Sequence, residues 1–116
     1  MTRIKICGLT REQDVCAAVT AGADALGFVF YEKSPRHVSA GQAAALLRTV
    51  PPFVTTVGLF VDPDEQFVRE VQAQVALDVL QFHGKETPEF CAGFGRPFLK
   101  AIRVKAGVDL VECAAR

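Results

Sequence analysis

The sequence has no excess of charge of either sign, because 13 lysine and arginine residues balance 13 aspartate and glutamate residues. No run of like charge concentrates on any stretch, so the basic stripe needed to hold nucleic acid or an anionic membrane surface is missing. The four cysteines, Cys7, Cys16, Cys91 and Cys113, form no C-x-x-C pair and have no histidine at metal-ligand spacing, which argues against a zinc site. No apolar run approaches the roughly 18 residues of a membrane span, and no charged leader precedes an apolar stretch at the amino terminus. The expectation is a cytoplasmic protein with reduced thiols, with a small molecule as its partner and neither nucleic acid nor a membrane.

What is present is apolar: half of the 116 residues, enough for one compact domain with a sizeable core. Arg3 to Cys7 is a short β-branched run, and Arg11 to Ala21 places Val15, Ala18 and Val19 at helical spacing. The pair recurs. A strand at Ala25 to Phe30 is followed by a helix at Ala40 to Val50, and a strand at Val54 to Val61 by a helix at Pro63 to Val75. A strand at Asp78 to Phe82 then leads to a short helix at Pro88 to Phe94, and a strand at Phe98 to Val104 to a helix at Ala106 to Ala115. The helix starts carry capping signals: Thr10 with Gln13 and Ser39 with Gln42 have capping-box spacing, and Asp62 and Thr87 each precede a proline.

Strands alternating with helices need crossover connections and give a parallel sheet, either doubly wound or closed into a barrel. Strand parity favours the barrel. Central strands of a doubly wound sheet are buried on both faces and read as continuous apolar runs. Here Arg3, Lys5 and Cys7 share one face against Ile4 and Ile6, and Gln81 and His83 oppose Leu80 and Phe82. Polar groups at the carboxyl ends of strands, facing away from the helices, suit a barrel mouth.

That mouth would hold Lys5, Cys7, Arg36, Gln81 and His83 and no free carboxylate, a composition suited to an anionic ligand. Cys7 ends a strand and is followed by Gly8, which permits a tight turn. Thiols ionise near 8.5, and cations or a helix amino terminus lower that value, so Cys7 is a candidate base or nucleophile; alternatively it is a small buried hydrophobe, the reading that fits Cys16, Cys91 and Cys113. Arg36 follows Ser34 and Pro35 in a loop, where a guanidinium can bind a carboxylate or phosphate in bidentate fashion or lie solvated. His83 is a second proton carrier or a hydrogen-bonded strand end. Asp62 reads as a helix cap, and Arg103 as an inward or rim charge.

Five segments, Lys5 to Thr10, Gly22 to Phe30, Ser34 to Arg36, Val57 to Val61 and Leu80 to Gly84, occur in the order and with the gaps of phosphoribosylanthranilate isomerases, a family this sequence resembles over nearly its whole length. The resemblance implies a (β/α)8 TIM-barrel and a cofactor-free Amadori rearrangement in tryptophan biosynthesis. It implies Cys7 as the base that takes the C2 proton of a Schiff base, Arg36 as the residue holding the anthranilate portion, and His83 as a mouth residue close to a phosphorylated substrate; Gln81, on the same face by strand parity, is a further substrate-binding candidate. The family's general acid on the sixth strand and its phosphate loops after strands seven and eight have no counterpart here. Residues 1–116 are therefore expected to be the N-terminal part of a single barrel domain, about its first five β/α units, inactive in isolation and prone to self-association through open sheet edges. Two other readings are another cofactor-free barrel enzyme acting on a sugar phosphate, and an inert half-barrel that serves as an interaction module.

Overall fold

The computed structural model describes residues 3–100. Within them strands and helices alternate: β1 (Lys5–Ile6), α1 (Glu12–Thr20), β2 (Ala25–Val29), α2 (Ala40–Leu47), β3 (Thr55–Phe60), α3 (Glu65–Gln74), β4 (Val79–Phe82), α4 (Pro88–Ala92) and β5 (Phe98–Lys100). The sequence pattern places all nine correctly in type and order. The expected strand to Val104 is described only as far as Lys100; Arg103, Cys113 and the expected helix at Ala106 to Ala115 lie outside the described residues. No helix among those described is long and apolar enough to cross a membrane.

All five strands are parallel, and their order in the sheet is their order in the chain. A doubly wound sheet reverses strand order at a switch point and carries helices on both faces. Here the order never reverses. Val15 and Ala18 of α1, Ala43 and Leu46 of α2, Val68 and Val71 of α3 and Cys91 of α4 join one buried cluster with Leu26, Phe28, Phe60, Leu80 and Phe82 of the sheet. Four helices thus cover a single face, the arrangement of a (β/α)-barrel wall, and the opposite face is left for the barrel interior.

Aromatic rings tie the strands together on the helix side. Phe30 stacks on Phe60 at 5.4 Å, Phe60 on Phe82 at 5.9 Å and Phe82 on Phe94 at 6.0 Å between ring centroids. Each such pair contributes about 0.5–1.5 kcal/mol beyond its buried area. At the amino ends of the strands, carboxylates satisfy neighbouring backbone: Ile4 N donates to Asp24 Oδ2 at 2.8 Å and Thr56 N to Asp78 Oδ2 at 2.9 Å. The buried Thr56 hydroxyl donates to Ala76 O at 2.9 Å, so that end of the sheet is pinned and takes no part in the mouth.

Two of the four capping expectations hold. Ser39 and Gln42 form a reciprocal capping box, and Thr87 accepts from Phe90 N ahead of Pro88 at the first helical position. The other two are corrected. Helix α1 starts after Arg11, which makes no side-chain cap, because Gly8 N and Leu9 N are both tied to Gly27 O and hold the chain in the turn past Thr10. Helix α3 is capped by Asp64, whose Oδ1 accepts from Phe67 N at 2.7 Å. Asp62 instead sits at φ 46° and accepts from Lys85 N at 2.6 Å, serving the loop after β4.

Candidate active site

The interior face of the sheet is set by register. Gly27 pairs with Val57 and Val57 with Val79, while Val29 pairs with Leu59 and Leu59 with Gln81. Cys7 lies immediately beyond β1 beside Gly27, where a Cβ would come within 2.9 Å of Cys7 Sγ and 3.2 Å of its Cα. Real Cβ atoms do not approach so closely, so the absence of a side chain at residue 27 creates the space occupied by the half-buried thiol. A glycine inside a strand marks a close backbone approach, and that signal was available in the sequence, where Gly27 reads simply as part of a strand.

Gly8 turns the chain away from Cys7 at φ +81° and donates its N–H to Gly27 O at 3.0 Å. The side chain of Arg36 lies directly over it. A Cβ at residue 8 would collide with Arg36 Cδ and come within 3.1 Å of Nη1 and 3.4 Å of Nε. The glycine is therefore both the turn after the thiol and the seat of the guanidinium.

The loop carrying Arg36 is held at both ends. Ser34 N donates to Tyr31 O at 3.0 Å, His37 N to Ser34 O at 3.1 Å and Val38 N to Val29 O at 3.0 Å. Ser34 Oγ accepts from Arg36 N at 3.1 Å, a local turn that fixes the backbone from which the arginine projects. His83 follows β4 and is anchored by its own N–H to Phe60 O at 2.9 Å.

Cys7, Arg36 and His83 converge on one open recess of about 310 Å³ at the carboxyl ends of the strands, completed by Gly8, Val29, Tyr31, Ser34, Leu59 and Val61. Among the described residues no carboxylate lines it. The acidic groups Glu32, Asp62 and Asp64 line a neighbouring hollow of about 390 Å³ instead. A guanidinium, an imidazole and a thiol sharing one recess, with no anion beside them among the described residues, form a composition suited to a negatively charged ligand and to a proton transfer. Gln81 shares the interior face but does not line the recess; its Oε1 accepts a hydrogen bond from Lys5 Nζ, so these two expected mouth residues hold each other across the interior. Cys91, by contrast, is fully buried beneath α4, where burial pushes its thiol above the ordinary range, Glu86 adds to the rise and Lys100 opposes it.

Residues 4–116 match the family model described as N-(5'-phosphoribosyl)anthranilate isomerase. The chain is 66% identical over 113 residues to the enzyme of that name from Thiobacillus denitrificans, covering 97% of this chain and 55% of that one. It is similar to the crystal structure of phosphoribosyl anthranilate isomerase from Thermotoga maritima, with a TM-score of 0.85 and 40% identity over 88% of this chain and 51% of that one. A phosphoribosyl anthranilate isomerase solved in complex with reduced 1-(o-carboxyphenylamino)-1-deoxyribulose 5-phosphate superimposes with a TM-score of 0.86 at 40% identity, covering 90% of this chain and 55% of that one. The chain spans about half the length of the relatives it matches.

Proposed function

The chain belongs to the N-(5'-phosphoribosyl)anthranilate isomerase family, and from that premise we propose that it is the N-terminal part of a single (β/α)8-barrel domain performing the Amadori rearrangement of N-(5'-phosphoribosyl)anthranilate. The observation that carries this reading is the convergence of Cys7, Arg36 and His83 on one recess that has no carboxylate among the described residues. The related enzyme was solved with a ligand bearing both a carboxyphenyl group and a phosphate. Arg36 is the cation suited to that carboxylate, since its planar fork matches carboxylate geometry.

In this reaction the ribose ring opens as its oxygen takes a proton, and the anthranilate nitrogen supplies the electrons that form a C1=N Schiff base. The Cys7 thiolate then removes the proton from C2. The C–H electrons form a C1=C2 bond and the iminium nitrogen is neutralised; the resulting enolamine then takes a proton at C1 while its C2 hydroxyl gives up its own proton, and the O–H electrons form the C2 ketone. C1 is reduced and C2 oxidised within one molecule, so no redox cofactor is required. His83 bounds the substrate on the β4 side, and Gln81, held by Lys5, stands on the same interior face two residues before it. The ring-opening acid and the phosphate site that the family resemblance implies are not among the residues lining this recess.

The test is Cys7→Ser in a complete enzyme containing this segment. A hydroxyl is far too weak a base near neutral pH, so kcat should fall by about 10²-fold or more with folding preserved. Retention of more than about a tenth of kcat sinks the role of Cys7. The free thiols of Cys7, Cys16 and Cys91 suit a reducing cytoplasm. A polypeptide of residues 1–116 on its own presents β1 and β5 as the outer strands of the described sheet, with Ile4 47% exposed beside the first. Such edges favour self-association; sedimentation should show oligomers, and a monomer at micromolar concentration overturns that expectation.

A further inference from the structure

Glu86 lies outside the recess, yet its side chain is only 2% exposed and its carboxylate gathers three donors from three parts of the fold. Oε2 accepts from Asp62 N at 2.8 Å, in the loop after β3. Oε1 accepts from Gly84 N at 2.9 Å, in the loop after β4, and from Lys100 Nζ at 2.9 Å, on β5. The connection is reciprocal, because Asp62 Oδ1 accepts in return from Lys85 N at 2.6 Å and Gly84 O accepts from Lys100 Nζ. Gly84 is itself a tight fit: a Cβ there would overlap Asp62 Oδ1.

The chain leaves β4 through His83 and enters this clamp one residue later. His83 is thus fixed on one side by its N–H to Phe60 O and on the other by Gly84, whose N–H and carbonyl are both bound. A buried carboxylate bound by three donors is a rigid element, since each lost partner leaves a desolvated charge less well satisfied. Nothing in the folding of β4 or α4 by itself requires a charge here: α4 is capped by Thr87, and β4 is held by its ladder with β3 and β5. What the clamp adds is a fixed relation between the ends of three strands at the mouth.

We infer that Glu86 is a positioning residue that acts through His83, holding the imidazole in the recess opposite Cys7 and Arg36. This rests on the proposed reading of the recess as the isomerase site. The experiment is a double-mutant cycle in a complete enzyme containing this segment, pairing Glu86→Gln with His83→Ala, together with the His83 imidazole resonances of the wild type and the Glu86 variant. Glu86→Gln should lower kcat/KM by about tenfold when His83 is present and by less than about twofold in the His83→Ala background. The imidazole resonances of His83 should shift in the glutamine variant. Equal losses in both backgrounds, or unmoved resonances, overturn the positioning role and leave Glu86 a structural residue. If His83→Ala itself leaves kcat/KM unchanged, the reading of His83 as a substrate-facing residue of the recess fails and the positioning role falls with it, whereas a damaging His83→Ala with equal Glu86→Gln losses overturns the positioning role alone. Should the glutamine variant not fold, Glu86→Asp, which keeps the charge but shortens its reach, is read by the same criteria.

Discussion

Replacing Gly8 by alanine strikes two features at once, and the structure supplies a control that separates them. Gly8 and Gly22 both have left-handed backbone, at φ +81° and +90°. An added Cβ at Gly22 meets nothing within 4 Å, whereas at Gly8 it meets the stem and head of Arg36. The left-handed conformation costs an alanine about 1–2 kcal/mol, so urea unfolding should show both variants destabilised by similar amounts. Only Gly8→Ala should displace the guanidinium. A charge-assisted hydrogen bond contributes about 1.5–3 kcal/mol, so its loss predicts roughly a 10- to 150-fold fall in kcat/KM for Gly8→Ala in the complete enzyme. In an Arg36→Ala background the further effect of Gly8→Ala on kcat/KM should nearly vanish. If Gly8→Ala and Gly22→Ala retain the same kcat/KM, the glycine is a turn residue alone and the seating of Arg36 on it has no functional weight.

Arg36→Lys should recover little of what Arg36→Ala loses, because an ammonium cannot reproduce the planar fork; equal kcat/KM in wild type, lysine and alanine variants would mean a merely solvated arginine. The exposed Cys16 should react rapidly with a thiol reagent, and the buried Cys91 only on unfolding. Since burial raises the Cys91 thiol above its ordinary value, its neutral form favours the folded state below the ordinary thiol pKa, and that contribution is lost as pH climbs through the raised one. Stability measured by urea unfolding should therefore decline above about pH 8.5, and less steeply in Cys91→Ala; an identical slope in the two proteins refutes the assignment.

The barrel character was legible because it depends on alternation within strands. Leu80 and Phe82 are fully buried against helices while Gln81 turns inward, as the parity of Leu80 to His83 requires. Capping was legible where its chemistry is local: Ser39 and Gln42 need only each other. It failed where a distant partner decided the outcome. In Asp62-Pro63-Asp64 either aspartate fits the cap, and the choice went to Asp64 because Asp62 is claimed by the backbone of Lys85, 23 residues away. Glu86 was invisible for the same reason. In the sequence it is one charge in a polar loop, and only the approach of Asp62, Gly84 and Lys100 shows that it is buried and bonded.

A sheet whose spatial order repeats its chain order has kinetic consequences. Lys5 pairs with Ala25, Ala25 with Thr55, Val57 with Val79 and Leu80 with Phe98, so these adjacent-strand pairings close segments of 20, 30, 22 and 18 residues. Closure entropy grows only with the logarithm of segment length, and between the shortest and the longest of these it differs by about 0.5 kcal/mol. No pairing among them is a bottleneck on that ground. Separations this uniform spread the closure cost evenly along the wall, and with synthesis running at about 5–20 residues per second, each strand follows its neighbour within seconds. Strand, helix and strand can then assemble in the order in which they leave the ribosome, each new unit docking on a wall already built.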